Sequence, residues 1–98
     1  MDINSEALAS IEKAAYYGFE INEVADLIGL NKESFELLFV REENHPAVKA
    51  YQKGLYQAEF DLREAEMNSA LSGSQPAQEG MKKHIKKASN KLKEITNG

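Results

Sequence analysis

Glu20-Ile-Asn-Glu-Val-Ala-Asp-Leu-Ile-Gly-Leu-Asn-Lys-Glu-Ser-Phe-Glu-Leu-Leu-Phe39 is the most informative stretch of this 98-residue chain. Ile21, Val24, Ala25 and Ile28 recur at i, i+3, i+4 and i+7, the spacing of one face of an α-helix. Gly29 breaks the pattern where a residue in the left-handed region would end that helix. Leu30 is expected in a buried turn. Asn31 can accept a hydrogen bond from the Ser34 amide and so cap a second helix. Phe35, Leu38 and Phe39 form the apolar face of that helix. Ala25 suits a close crossing of two helix backbones. The spacing predicts a helix-turn-helix with its second helix in the recognition position. A plain helical hairpin shares the turn. The combination of Gly18, Ile21-Asn-Glu-Val-Ala25, Gly29-Leu-Asn31 and Phe35 at these offsets favours the helix-turn-helix.

Upstream, residues 5–17 are expected to form the first helix, with Ser5 as its N-cap and Glu6 in the first turn. Leu8, Ile11, Ala14 and Ala15 make its inward stripe, and Gly18 closes it. Tyr16 and Tyr17 could stack on bases. Lining the core with the hydroxyl at the surface is their commoner role. Phe19 is expected in the core between the first two helices.

The recognition helix is expected from Lys32 to about Glu43. Lys32, Glu33, Glu36, Leu37 and Val40 would face a major groove. Glu36 could accept from cytosine N4, but carboxylates here repel phosphates, and phosphate neutralisation supplies most affinity for DNA.

His45-Pro46 marks the next boundary, because proline disfavours a helical residue before it and suits a first turn. A long helix is expected from Pro46 to about Ser72. Val48, Tyr51, Leu55, Ala58, Leu62 and Ala65 alternate steps of three and four, as in a coiled-coil seam. Tyr56, Phe60, Met67 and Leu71 lie roughly 150° away on a second stripe. One stripe can cover the helix-turn-helix and the following helix; the other calls for a second subunit. Gly54 costs about 1 kcal/mol against alanine in mid-helix, which points to a close helix contact there. Gly73 and Pro76 then supply a helix stop and a helix start. The last helix is expected over roughly Pro76 to Ile95 and antiparallel to the long one. Its seam is Met81, Ile85, Ala88, Leu92 and Ile95, with lysines on the flanks, and Thr96-Asn97-Gly98 should fray.

The expected architecture is therefore all-α. A three-helix, homeodomain-like helix-turn-helix over residues 1–45 precedes a helical hairpin over residues 46–98, the expected oligomerisation region.

Composition narrows the function. The net charge of −4 conceals an asymmetry. Residues 1–80 hold six cations against fifteen carboxylates, a net of −9, whereas residues 81–98 hold six lysines against Glu94, a net of +5. Such a chain suits head-to-tail contacts between subunits, or a basic tail that meets an acidic partner. A solvated helix face accounts for the lysines equally well. A basic amphipathic helix can also meet nucleic acid or an anionic membrane surface. There is no cysteine, no apolar run near 18 residues and no signal-peptide pattern at Met-Asp-Ile-Asn-Ser-Glu. A soluble intracellular protein is the expectation. Enzymatic chemistry is not expected either. His45 and His84 lack partners at metal-ligand spacing, no glycine-rich phosphate loop occurs, and no cofactor or metal is expected.

The order of features resembles the small-terminase family of tailed phages and prophages. The residues that carry the resemblance are Gly18, Ile21-Asn-Glu-Val-Ala25, Gly29-Leu30, Phe35, His45-Pro46, Tyr51, Gly54 and Ala70-Leu-Ser-Gly73, over roughly residues 8–75. Homeodomain-like modules of transposases and transcriptional regulators share the first half. The resemblance implies a non-enzymatic DNA-packaging protein in the host cytoplasm, with an N-terminal DNA-binding module and a hairpin that builds a ring oligomer. A large terminase subunit or another phage protein would be its partner, and the ATPase and nuclease would belong to that large subunit. By position, Lys32, Ser34 and Arg41 would contact DNA. Glu36 on the recognition helix and Lys82, Lys83, Lys86 and Lys87 on the basic helix complete the expected DNA surface. Tyr56, Phe60, Met67, Leu71, Ile85 and Leu92 form the expected oligomer interface. The sequence departs from the family in its acidic recognition helix and in how little follows the last helix. A dimeric regulator, a transposase-type DNA-binding protein and a protein-interaction adaptor that no longer reads DNA are the alternatives.

Overall fold

A computed structural model describes residues 2–97. Five helices follow in order: α1 (Ser5–Tyr16), α2 (Ile21–Ile28), α3 (Lys32–Arg41), α4 (Pro46–Leu71) and α5 (Gln75–Asn97). No strand occurs among the described residues, so the chain is all-α. It forms two compact units, one ending at Glu59 and one beginning at Phe60, and α4 contributes to both.

In the first unit, each short helix is defined by local chemistry. Asn4, not Ser5, caps α1. Its extended backbone lets Oδ1 accept from the Ala7 amide at 2.8 Å, whereas Ser5 already lies inside the first turn. After α1 the Phe19 amide donates to Ala14 O at 3.0 Å and the Gly18 amide to Ala15 O at 2.9 Å, a Schellman pairing. The same pairing ends α2, where Leu30 N donates to Ala25 O at 2.9 Å and Gly29 takes φ 75°. An L-residue would be strained there, so Gly29 sets the angle at which the chain leaves α2. Glu23 accepts from the Glu20 amide at 2.9 Å, and Asn31 accepts from the Ser34 amide at 2.9 Å, the cap that the sequence predicts. α3 stops at Arg41, two residues short of the expected Glu43, and His45 Nδ1 accepts from the Ala47 amide at 3.0 Å to start α4.

Ile11, Ala14, Val24, Ala25, Phe35, Leu38 and Ala47 form the core of this unit. Leu8, Ile21, Ile28, Leu30, Phe39 and Tyr51 pack around it. Phe39 meets Phe35 and Tyr51 edge-on, with centroids 5.1 and 5.6 Å apart. Phe19 is not in this core; the residue is 38 % exposed. It follows the turn at Gly18, and its carbonyl oxygen accepts the Tyr51 hydroxyl at 2.6 Å. Tyr17 is also exposed rather than core-lining, with its ring edge-on to Tyr16.

Gly54 is buried where α4 crosses α1. A Cβ at this position would fall on the Glu12 carbonyl oxygen and lie 2.8 Å from Ala15 Cβ. Both obstacles belong to the body of α1 and cannot swing away.

The second unit is a hairpin closed near its turn. Ser74 N donates to Ser69 O and Gly73 N to Ala70 O, at 3.0 and 3.1 Å. α5 begins at Gln75, one residue before the expected Pro76, with Ser74 Oγ 3.4 Å from the Ala77 amide. Gln78 Nε2 donates to Ala70 O at 3.0 Å, and His84 Nε2 lies 3.4 Å from Glu66 Oε1. Pairing 70 with 78 and 66 with 84 makes the two helices antiparallel. Ala70 is buried and Met67, Ala77, Gly80 and Met81 are half-buried, but the rest of the expected α5 seam is exposed. On α4 the Val48 stripe is inward only at Val48, Tyr51 and Ala58, and Leu55, Leu62 and Ala65 are exposed. α5 continues through Thr96, whose Oγ1 donates to Leu92 O at 2.9 Å. Gly98 lies outside the described residues.

Two glycine substitutions separate a backbone contact from a side-chain one. Gly54→Ala gains helix propensity of about 1 kcal/mol but must push α4 off α1, and a net loss of about 2 kcal/mol is expected in urea unfolding. Gly80→Ala meets only the Glu66 carboxylate, the far end of a flexible side chain, and should unfold within about 1 kcal/mol of wild type.

Candidate functional site

Three exposed surfaces hold the residues singled out from the sequence. The first is the outer side of α3. Phe35 and Leu38 point into the core, so Glu33, Glu36, Leu37 and Val40, at i, i+3, i+4 and i+7, face solvent together. Val40 is 76 % exposed. Lys32, Ser34 and Arg41 are exposed on the margins of this face rather than at its centre. Lys32 Nζ lies 3.2 Å from Asp26 Oδ2, which offsets its charge locally. Glu36 also borders a shallow cleft with Glu20, Ile21, Asn22 and Tyr51.

Tyr51 was placed by the sequence on an apolar seam, and its hydroxyl has a further role. It ties α4 to the α1–α2 connection through the Phe19 carbonyl. Burial pushes its pKa above the ordinary value of 10.0, and the carboxylates of Glu20 and Glu23 push it the same way. The group is therefore a protonated donor at neutral pH.

The second surface is α5. Lys82, Lys83, Lys86, Lys87, Lys91 and Lys93 are all exposed, and Lys91 pairs with Glu94 at 3.5 Å. Ile85, Leu92 and Ile95 are exposed beside them. The third is the outer stripe of α4. Tyr56, Phe60 and Leu71 are exposed, Phe60 by 64 %, while Met67 is half-buried. The lysines of α5 lie in the second unit and the α3 residues in the first.

One apolar groove is not marked by the helical spacing of the sequence. Tyr17, Phe19, Val24, Leu27 and Ile28 line it, with Leu27 exposed. Leu27 falls outside the i, i+3, i+4 pattern of α2, and that mismatch was the available signal.

No group of three or more His, Asp or Glu residues positioned to hold a metal occurs among the described residues. No helix among them is long and apolar enough to cross a membrane. Compared with protein-family models, curated proteins and solved structures, the chain matches none.

The Tyr51 tie has a pH signature. Its folded pKa is raised, so the stability it adds is complete below the unfolded value near 10 and is lost as pH rises through the folded value. Tyr51→Phe should cost about 1 kcal/mol at pH 7. It should also flatten the alkaline fall in stability, as read by urea midpoints from pH 8 to pH 11.

Proposed function

We propose that this chain is a non-enzymatic DNA-packaging protein of the small-terminase type that meets DNA as an oligomer. The observation that carries the proposal is the α2–α3 pair. Val24 and Ala25 of α2 are buried in one core with Phe35 and Leu38 of α3, a three-residue turn at Gly29-Leu30-Asn31 joins the two helices, and the far side of α3 is left in solvent. Such a pair supports the reading of a helix-turn-helix of the homeodomain-like kind. Lys32, Ser34 and Arg41 would contact DNA from α3, with Glu36 positioned for a base edge. Lys82, Lys83, Lys86 and Lys87 would supply most of the phosphate neutralisation. Tyr56, Phe60, Met67, Leu71, Ile85 and Leu92 would join subunits, and linked weak sites would gain avidity. A large terminase subunit or another phage protein in the host cytoplasm would be the partner. A second reading, a protein-interaction adaptor that no longer reads DNA, is favoured by the two carboxylates and two apolar side chains at the centre of the outer α3 face.

Fluorescence anisotropy with a labelled duplex, at salt from about 50 to 200 mM, separates the two. The packaging proposal expects binding at low salt that weakens steeply as salt rises. Replacing Lys82, Lys83 and Lys87 with Gln should lower affinity at least tenfold and shrink the log–log slope by about three. No detectable binding at the lowest salt would leave the adaptor.

A further inference from the structure

We infer that the outer face of α3 is a docking surface for α5 of a second copy of this chain. The inference goes beyond the packaging proposal and does not depend on DNA binding.

The two surfaces match in chemistry. Glu33 and Glu36 stand beside exposed Leu37 and Val40 on α3, and Glu42 and Glu43 follow, also exposed. Residues 32–43 hold two cations against four carboxylates, and residues 1–59 hold five against eleven. α5 has the opposite pattern. Ile85, Leu92 and Ile95 are exposed on one side, by 55, 61 and 70 %, and Lys86 and Lys93, seven residues apart, flank that side. α5 therefore offers an apolar strip flanked by lysines, and α3 a face on which Glu33 and Glu36 interleave with Leu37 and Val40, so the charges beside the apolar side chains are opposite in sign. Leu37 and Val40 are exposed on the one strip, and Ile85, Leu92 and Ile95 on the other. Burial of Leu37 and Val40 against Ile85 and Leu92 supplies the association energy, and the flanking charges select the partner and speed encounter.

The contact joins different surfaces of the two copies, so it is heterologous. That property makes it testable by mixing. The readout is sedimentation velocity of the full chain, without DNA, at low and high salt. Wild type should associate at low salt and dissociate as salt screens the charges. Glu33→Lys with Glu36→Lys in one chain, and Lys86→Glu with Lys93→Glu in another, should each weaken association at least tenfold. All four side chains are exposed, so the helices should keep their circular dichroism. A one-to-one mixture of the two variants should associate again, because each mutated face meets its complement on the other chain. A monomeric wild type, variants that associate as wild type does, or a mixture that stays apart would each overturn the inference. The DNA titration tests the packaging proposal separately, so the failure of one is not mistaken for the failure of the other.

Discussion

The close approach of α4 to α1 at Gly54 governs the N-terminal unit. Backbone carbonyl and Ala15 methyl occupy the space where any larger residue would put its Cβ. With the helices that close, Ala47 and Val48 are buried about two turns earlier, and Tyr51 reaches the Phe19 carbonyl. Phe39 then sits edge-on between Phe35 and Tyr51. α3 is thereby fixed from behind, and its opposite side faces outward by geometry rather than by local preference. The rotation that buries Phe35 and Leu38 is the same rotation that presents Glu33, Glu36, Leu37 and Val40.

The hairpin of the second unit works by a different logic. Near the turn it is closed by small residues, by a hydrogen bond from Gln78 to Ala70 and by the close approach of His84 to Glu66. The hydrophobic positions further along α5 are exposed, although their spacing is that of a coiled-coil seam. Surface leucines and isoleucines occurring singly need no explanation, but a periodic row bordered by lysines differs from that background. A row of this kind favours a partner that supplies apolar contact and negative charge together.

Most of the local structure was legible in the chain. Gly29 and Asn31 mark the α2–α3 turn because glycine and a capping asparagine have few substitutes there. His45-Pro46 and Gly73 mark helix ends for equally local reasons. Gly54 announced a close contact through its cost in mid-helix, although the partner, Glu12 and Ala15 of α1, depends on tertiary packing. The errors also have physical causes. Asn4 competes with Ser5 for the cap, and both residue types suit the role. Phe19 looked like core because of its size, but it follows the Schellman turn that ends α1, where its carbonyl accepts the Tyr51 hydroxyl and the residue stays exposed. Periodicity identified the α4 and α5 stripes but could not tell which segments are covered, since spacing reports only that residues share a face. The outer α3 residues were legible as a set, and their acidic and apolar character was already visible, whereas the groove at Leu27 was not.

The central claim is that the exposed strips of α4 and α5 are contact surfaces rather than ordinary solvated faces. Light scattering on the size-exclusion peak, at two protein concentrations and low salt, tests it most directly. The account predicts a mass well above that of a dimer. The mass of a single chain at both concentrations would contradict it.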